Sequence, residues 1–239
     1  MRPQFSILIP FFDEAESCRA LLAEIRAVAG TLGGAVEVIA VDDGSRDATL
    51  ALLREAATDW PALRVVPLGR NCGQAAALYS AMRLAQAPIL VTLDGDGQNV
   101  PADIPLLLAR LAEADMVVGV RAQRHDSWLR RKMSRLANGI RGRMLGDGVT
   151  DSGCALKVFR REVVEAFLPM RTLYSFMPAL ATGAGFTVVE QPVQHRERRQ
   201  GTSKYGLRVM LWRPALDLLG VWWWRHRRFP LPEIPGDRE

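Results

Sequence analysis

The sequence predicts an α/β fold: a mostly parallel sheet flanked by helices, followed by a C-terminal amphipathic helical extension. Three observations carry that expectation. Over residues 1–120, short β-rich runs alternate with helix-like runs at the spacing of βαβ units. Four of the strand-like runs end in polar loops rich in Asp, Asn and Gly, the position where parallel sheets gather ligands. Hydrophobic residues make up 49% of the 239, enough for a substantial core in one large domain or two small ones.

The elements follow in order. Phe5–Ile9 reads as a strand and leads through Pro10-Phe11-Phe12-Asp13-Glu14 into a helix over Ala15–Ala29. Val36–Val41 is the second strand, followed by Asp42-Asp43-Gly44-Ser45 and a helix over Ala48–Ala57. Leu63–Leu68 precedes Gly69-Arg70-Asn71-Cys72-Gly73 and a helix over Gln74–Ala85. Ile89–Leu93 is short, apolar and uncharged, so it reads as a buried strand, and Asp94-Gly95-Asp96-Gly97-Gln98 stands at its end. A helix over Ile104–Ala112 and a strand over Met116–Val120 complete the alternation. Neither GxGxxG nor GxxxxGK[ST] occurs, which disfavours a dinucleotide site and a P-loop.

From Arg121 the texture changes. Leu129, Met133, Leu136, Ile140 and Met144 recur at helical spacing, with Arg130, Ser134 and Asn138 on another stripe. A strand over Ala155–Phe159, short helices near Arg161–Phe167 and Tyr174–Ala184, and a strand over Thr187–Gln194 lead into the polar run His195–Ser203. Tyr205–Trp224 is apolar but interrupted by Arg208, Arg213, Pro214 and Asp217, so it falls short of the ~20 apolar residues that span a bilayer. Trp222, Trp223 and Trp224 stand beside Arg225, His226, Arg227 and Arg228, a pattern that fits an interfacial segment or a buried closing helix. The expected division is residues 1–204 as the main domain, with a ligand-binding half at 1–120 and an acceptor half at 121–204, and 205–239 as an interfacial helix and tail.

Charge is unevenly placed. Residues 1–120 carry 9 Lys/Arg against 15 Asp/Glu, and residues 121–239 carry 22 against 11. An acidic half suited to a cation is joined to a basic half suited to anions, and that basic half has no recognisable nucleic-acid motif. Cys18, Cys72 and Cys154 are scattered and odd in number, which fits reduced thiols without zinc spacing. No signal peptide is evident at the N-terminus, so a cytoplasmic setting is expected.

Taken alone, Asp94–Gln98 fits a solvated Asp-Gly turn or a divalent-cation site. Four polar loops on one rim favour the site. Hard oxygen donors suit Mg²⁺ or Mn²⁺. Such a cation, held by Asp96 and Gln98 with Asp94 ligating or orienting nearby, would neutralise a departing diphosphate. Asp42, Asp43 and Glu14 could accept hydrogen bonds from a base and ribose, and Phe11 or Phe12 could pack on the base. The arginine-rich half fits a phosphate nucleophile, which is already ionised and needs gathering rather than a general base. Arg121, Arg130, Ser134, Arg198 and Lys204 are the candidates.

These motifs together resemble family 2 glycosyltransferases of the GT-A fold, in the polyprenyl-phosphate sugar synthase branch typified by dolichyl-phosphate mannose synthase. The resemblance rests on Ser6 through Glu14, Val41 through Asp47, Asn71-Cys72-Gly73, Asp94 through Gln98, and Arg198 through Tyr205. It implies nucleotide binding by Pro10, Phe12 and Glu14, base contact by Asp42, metal and donor binding by Asp94, Gly95, Asp96 and Gln98, and phosphate binding by Arg198 and Lys204. Gly119-Val120-Arg121, with Arg130 and Ser134, resembles the acceptor-phosphate site. The implied activity is inverting, metal-dependent transfer of a sugar from a UDP- or GDP-sugar to polyprenyl phosphate, giving a lipid-linked sugar for envelope glycan or lipopolysaccharide modification. The implied location is the cytoplasmic face of the membrane, as a peripheral protein; a homo-oligomer is left open. A hydroxyl-bearing saccharide acceptor, or a non-catalytic protein that binds nucleotide-sugar or acidic lipid, are the alternatives. The Gln-x-x-Arg-Trp motif of processive synthases is absent. Gly95 and Gly97 replace bulkier residues common in the motif and predict a looser loop.

Overall fold

The computed structural model describes residues 2–121, 139–196 and 207–228, with the backbone alone over 207–215. Seven strands form one sheet: β1 Phe5–Phe11, β2 Val36–Asp42, β3 Leu63–Pro67, β4 Ile89–Thr92, β5 Met116–Arg121, β6 Lys157–Arg160 and β7 Val188–Val193. Their spatial order is β3-β2-β1-β4-β6-β5-β7. Among these strands β6 alone is reversed, pairing antiparallel with β4 and β5, while the other pairings are parallel. The mostly parallel sheet is therefore observed as expected. The reversal has a local effect: the N-terminal end of β6 lies at the same rim as the C-terminal ends of the other six strands.

The helices are α1 Ala15–Ala29, α2 Thr49–Thr58, α3 Gln74–Leu84, α4 Ile104–Arg110, α5 over 139–145, α6 Leu173–Gly183 and α7 Leu207–Arg227. Of the helix expected through Leu129 to Met144, only its last part falls within the described residues. The segment near Arg161 is a 3₁₀ turn, Arg161–Ala166.

Period-2 alternation divides the core into two layers. Leu8, Ile39, Val41, Leu90, Met116, Val118 and Phe159 point to the face covered by α3, α6 and α7. Ile7, Ile9, Val38, Ala40, Val91, Val117 and Val158 point to the face covered by α1, α2 and α4. Helices on both faces explain why the central strands carry continuous apolar runs.

Two strands run further than the sequence suggests. β1 and β2 stay in register through Phe11↔Asp42, whereas β1 and β4 part after Leu8↔Thr92. Leu8 O accepts the Leu93 N–H, so alternate residues, Pro10 among them, point their backbone groups toward β4. The β1–β4 pairing ends before Pro10, so the missing proline N–H costs no ladder bond. Ladder pairing ends here, but the loop after β4 stays against β1: a Cβ on Gly95 would lie 2.8 Å from Pro10 O.

α7 is the expected C-terminal extension. No helix among the described residues is long and apolar enough to cross a membrane. Leu216, Leu219, Trp222 and Trp223 are exposed, with Trp223 at 59%. Trp224 is turned toward the core, and Arg228 lies over its ring at 5.1 Å. Arg225 donates to Ala179 O and Thr182 Oγ1, and Arg228 to Gly183 O, so both arginines cap the C-terminal end of α6. The tryptophan–arginine cluster thus divides: Trp224, Arg225 and Arg228 anchor the helix, and Trp222, Trp223, His226 and Arg227 face outward.

Candidate active site

The loops after β1, β2 and β3 are tied together by side chains that bond to backbone. Asp13 adopts a positive φ of 51°, its N–H donates to Ser45 Oγ, and its carboxylate accepts the Arg46 N–H at 2.7 Å. Glu14 N–H donates to Thr49 Oγ1, and Ala15 N–H to Asp47 Oδ2. Asp43 is buried, and its two oxygens accept the N–H groups of Cys72 (2.6 Å) and Gly73 (2.8 Å). Burial pushes the Asp43 carboxyl up, and those two hydrogen bonds oppose the shift. Its carboxylate therefore ties the β2 loop to the β3 loop. Gly44 has φ 71°, and a Cβ there would meet Arg70 C at 2.5 Å, so the β2 and β3 loops meet backbone to backbone.

Asp42 behaves differently. Its Oδ2 accepts the Ser45 N–H at 3.2 Å, while Oδ1 is buried without a hydrogen-bond partner among the described residues. A buried acceptor without a partner is costly, and this one stands at the mouth of a parallel sheet. Phe11 pairs with Asp42 across the β1–β2 ladder, and Phe12 and Glu14, which follow it, are half-buried.

The Asp94–Gln98 loop is fixed from several sides. Gln74 Nε2 donates to Asp94 Oδ1 at 2.6 Å. Ser17 Oγ donates to Gly95 O at 2.7 Å, and Gln98 N–H to Asp96 Oδ1 at 3.1 Å. A Cβ on Gly95 would fall 2.6 Å from Phe11 Cδ1 and 2.8 Å from Pro10 O. Gly95 is thus required for close packing on β1, which corrects the looser loop that its glycines suggest. Burial and the neighbouring Asp96 push the Asp94 carboxyl up to about 7, against the pull of Lys157, the Gln74 hydrogen bond and Arg121.

The donor set fits a hard divalent cation: Asp94 and Asp96 carboxylates with the Gln98 amide, gathered on one loop. Among the described residues no group of three or more His, Cys, Asp or Glu forms a cage. Such a cation would complete its shell with water and ligand phosphate oxygens, as Mg²⁺ and Mn²⁺ sites do.

The basic half reaches this loop by main-chain bonds. Arg196 N–H donates to Gln98 O at 2.9 Å, Gln98 Nε2 approaches Arg196 O at 3.4 Å, and Asn99 pairs with His195. Asp103 accepts the Gln194 N–H at 2.6 Å, and Arg196 pairs with Glu24 on α1. Arg198 and Lys204, a few residues on, lie outside the described residues, as do Arg130 and Ser134. Arg121, at the end of β5, is paired with Asp151 at 2.7 Å. Lys157 opens β6 fully buried, donates to Cys154 O, and lies in the field of Asp94 and Asp151. Gln74, Asp151 and Lys157 belong to no motif in the sequence. A lysine inside the apolar run Leu156-Lys157-Val158-Phe159 was the one available signal.

The sequence profile of glycosyl transferase family 2 matches residues 6–168. The chain belongs to that family. Among its relatives, the undecaprenyl-phosphate 4-deoxy-4-formamido-L-arabinose transferase of Edwardsiella ictaluri is 39% identical over 209 residues, which cover 86% of this chain and 64% of that protein. The transferase of the same name from Pseudomonas aeruginosa is 42% identical over 208 residues, covering 86% and 61%. This family 2 chain therefore matches under two thirds of the length of those relatives. Solved structures confirm the GT-A fold. The mannosyltransferase PcManGT from Pyrobaculum calidifontis, in complex with GDP-Man and Mn²⁺, superposes with a TM-score of 0.66 at 22% identity, covering 97% of this chain and 66% of that one. Glucosyl-3-phosphoglycerate synthase from Mycobacterium tuberculosis, with Mn²⁺, UDP-glucose and phosphoglyceric acid, gives 0.68 at 16% identity, covering 98% and 88%.

Proposed function

We propose that this family 2 protein is an inverting glycosyltransferase that moves a sugar from a nucleotide-sugar to a polyprenyl phosphate of the undecaprenyl type. The observation that carries the reading is the Arg196 N–H to Gln98 O bond, which brings the start of the basic run against the Asp94–Gln98 loop. The 4-deoxy-4-formamido-L-arabinose transferases named above support the same acceptor.

In this reading Asp42 Oδ1 accepts an N–H from the base, while Phe12 and Glu14 line the nucleoside. Asp94, Asp96 and Gln98 would hold Mg²⁺ or Mn²⁺, which when bound stabilises the negative charge on the departing diphosphate. Arg121, Arg130, Ser134, Arg198 and Lys204 gather the phosphate groups and screen their repulsion. A phosphate oxygen forms the new bond to the anomeric carbon as the bond to the nucleoside diphosphate breaks on the opposite face, so the configuration inverts. No proton moves, because the phosphate is already ionised. The acid nearest Arg121, Asp151, is 7% exposed and committed to that arginine, which suits a phosphate acceptor better than a hydroxyl needing a base. The outward face of α7, with Leu216, Leu219, Trp222 and Trp223 beside Arg227, would lie on the cytoplasmic membrane surface where the lipid acceptor is held.

The test is product analysis with a panel of UDP- and GDP-sugars, Mn²⁺ or Mg²⁺, and either a short polyprenyl phosphate or saccharide acceptors. Sugar appearing on the polyprenyl phosphate, lost with excess chelator and in Asp96→Ala, is expected. Transfer to saccharide alone, or vesicle binding with no turnover of any donor, would overturn the reading.

A further inference from the structure

Arg121 gives Asp151 three contacts. Its backbone N–H (3.2 Å) and Nε (2.7 Å) meet Oδ2, and Nη2 meets Oδ1 at 2.7 Å. A two-point fork fixes the plane of a guanidinium as well as its place. The pair is nearly sealed, with side chains 18% and 7% exposed.

Asp151 does not stand on a regular element, and the loop that carries it is held from elsewhere. On β7, separated from β4 by β6 and β5, the Glu190 carboxylate accepts the Thr150 N–H at 2.6 Å, the Thr150 hydroxyl at 2.9 Å and the Asp151 N–H at 3.1 Å. Glu190 stands opposite Val118 in the β5–β7 register, three residues before Arg121. One acid thus sets a loop, the loop sets a second acid, and the second acid sets the arginine whose charge reaches Asp94. Stability alone gives little reason for this chain, since apolar residues of similar volume serve as well as a buried ion pair.

We propose that Asp151 and Glu190 are positioning residues for phosphate recognition by Arg121. Asp151 grips the Nε and Nη2 groups, which fixes the plane in which the guanidinium meets a phosphate. Glu190 holds the loop that makes this orientation reproducible. The inference rests on the reading that Arg121 meets the acceptor phosphate.

The isosteric variants Asp151→Asn and Glu190→Gln, checked for fold by circular dichroism, are compared with Arg121→Ala. Steady-state kinetics are measured against a short polyprenyl phosphate and against the nucleotide-sugar. Asp151→Asn is expected to raise KM for the polyprenyl phosphate by about tenfold, the size of one charge-assisted hydrogen bond, and Glu190→Gln by less, with donor KM within about twofold. Asp151→Asn should add nothing in the Arg121→Ala background. Additive losses, or an unchanged acceptor KM in Asp151→Asn where Arg121→Ala has lost it, would overturn the proposal. Should Asp151→Asn not fold, Glu190→Gln decides by the same measure. Wild-type protein with no polyprenyl-phosphate turnover would count against the acceptor reading instead. Calorimetric binding of pyrophosphate then decides the positioning claim: loss in both Arg121→Ala and Asp151→Asn upholds it, and loss in Arg121→Ala alone, or in neither, overturns it.

Discussion

Gln74 Nε2 and Asp94 Oδ1 are 2.6 Å apart, so the first residue of α3 fixes the carboxylate that opens the loop after β4. The amide orients one oxygen of that carboxylate. Gln74→Leu removes that tether while keeping size. The expected result is a rise in the Mn²⁺ concentration needed for half-maximal activity, about three- to tenfold, with thermal stability nearly unchanged. Metal titration of activity and of intrinsic fluorescence checks it; an unchanged midpoint refutes the tether.

The raised Asp94 carboxyl gives a pH dependence with a definite sign. An acid whose folded value lies above its unfolded value of ~4 holds its proton more tightly when folded. Its favourable contribution is therefore complete below pH ~4 and is lost as pH rises to about 7. Between pH 5 and 8 the metal-free wild type should lose thermal stability relative to Asp94→Asn, by a few degrees. Mn²⁺ requires the ionised carboxylate, so its affinity should fall as pH drops below 7. Parallel melting curves for the two proteins across that range would show no divergence if Asp94 titrates normally.

Gly95→Ala places a methyl group 2.6 Å from the Phe11 ring and 2.8 Å from Pro10 O. Phe11 is buried and cannot withdraw freely. A loss of about 1–3 kcal/mol is expected in denaturant unfolding, with partial recovery in Gly95→Ala/Phe11→Leu. Absence of both effects would mean that the loop sits further from β1.

The three thiols should separate cleanly by reactivity. Burial pushes the Cys18 thiol up to about 11 and raises that of Cys154, whereas Cys72 is exposed in the loop that Asp43 holds. Iodoacetamide at pH 8 is expected to label Cys72 alone in the folded protein, and all three after denaturation. Mass spectrometry reads the outcome directly.

Much of this architecture was legible because it depends on local periodicity. The strand–helix alternation through residue 121 follows from apolar runs buried on both faces, and the rim loops follow from where those runs stop. What stayed hidden depends on contacts between distant segments. Nothing in sequence links Asp43 to the N–H groups of Cys72 and Gly73, which only the approach of the β3 loop brings to its carboxylate. Arg121 and Asp151 are 30 positions apart, and Glu190 a further 39, so no spacing rule links them. The two-residue extension of β1 past Ile9 is not legible because it depends on pairing with β2 alone, which continues through Phe11↔Asp42 after the β4 ladder has ended. In α7 the composition was informative, but helix phase decided which tryptophans and arginines face outward.

The reversal of β6 makes the region between β5 and β6 an excursion that leaves the sheet at one rim and re-enters at the same rim. Its length is therefore uncoupled from the register of β1 to β4, so residues can be added to or removed from this stretch without shifting the pairing of those strands.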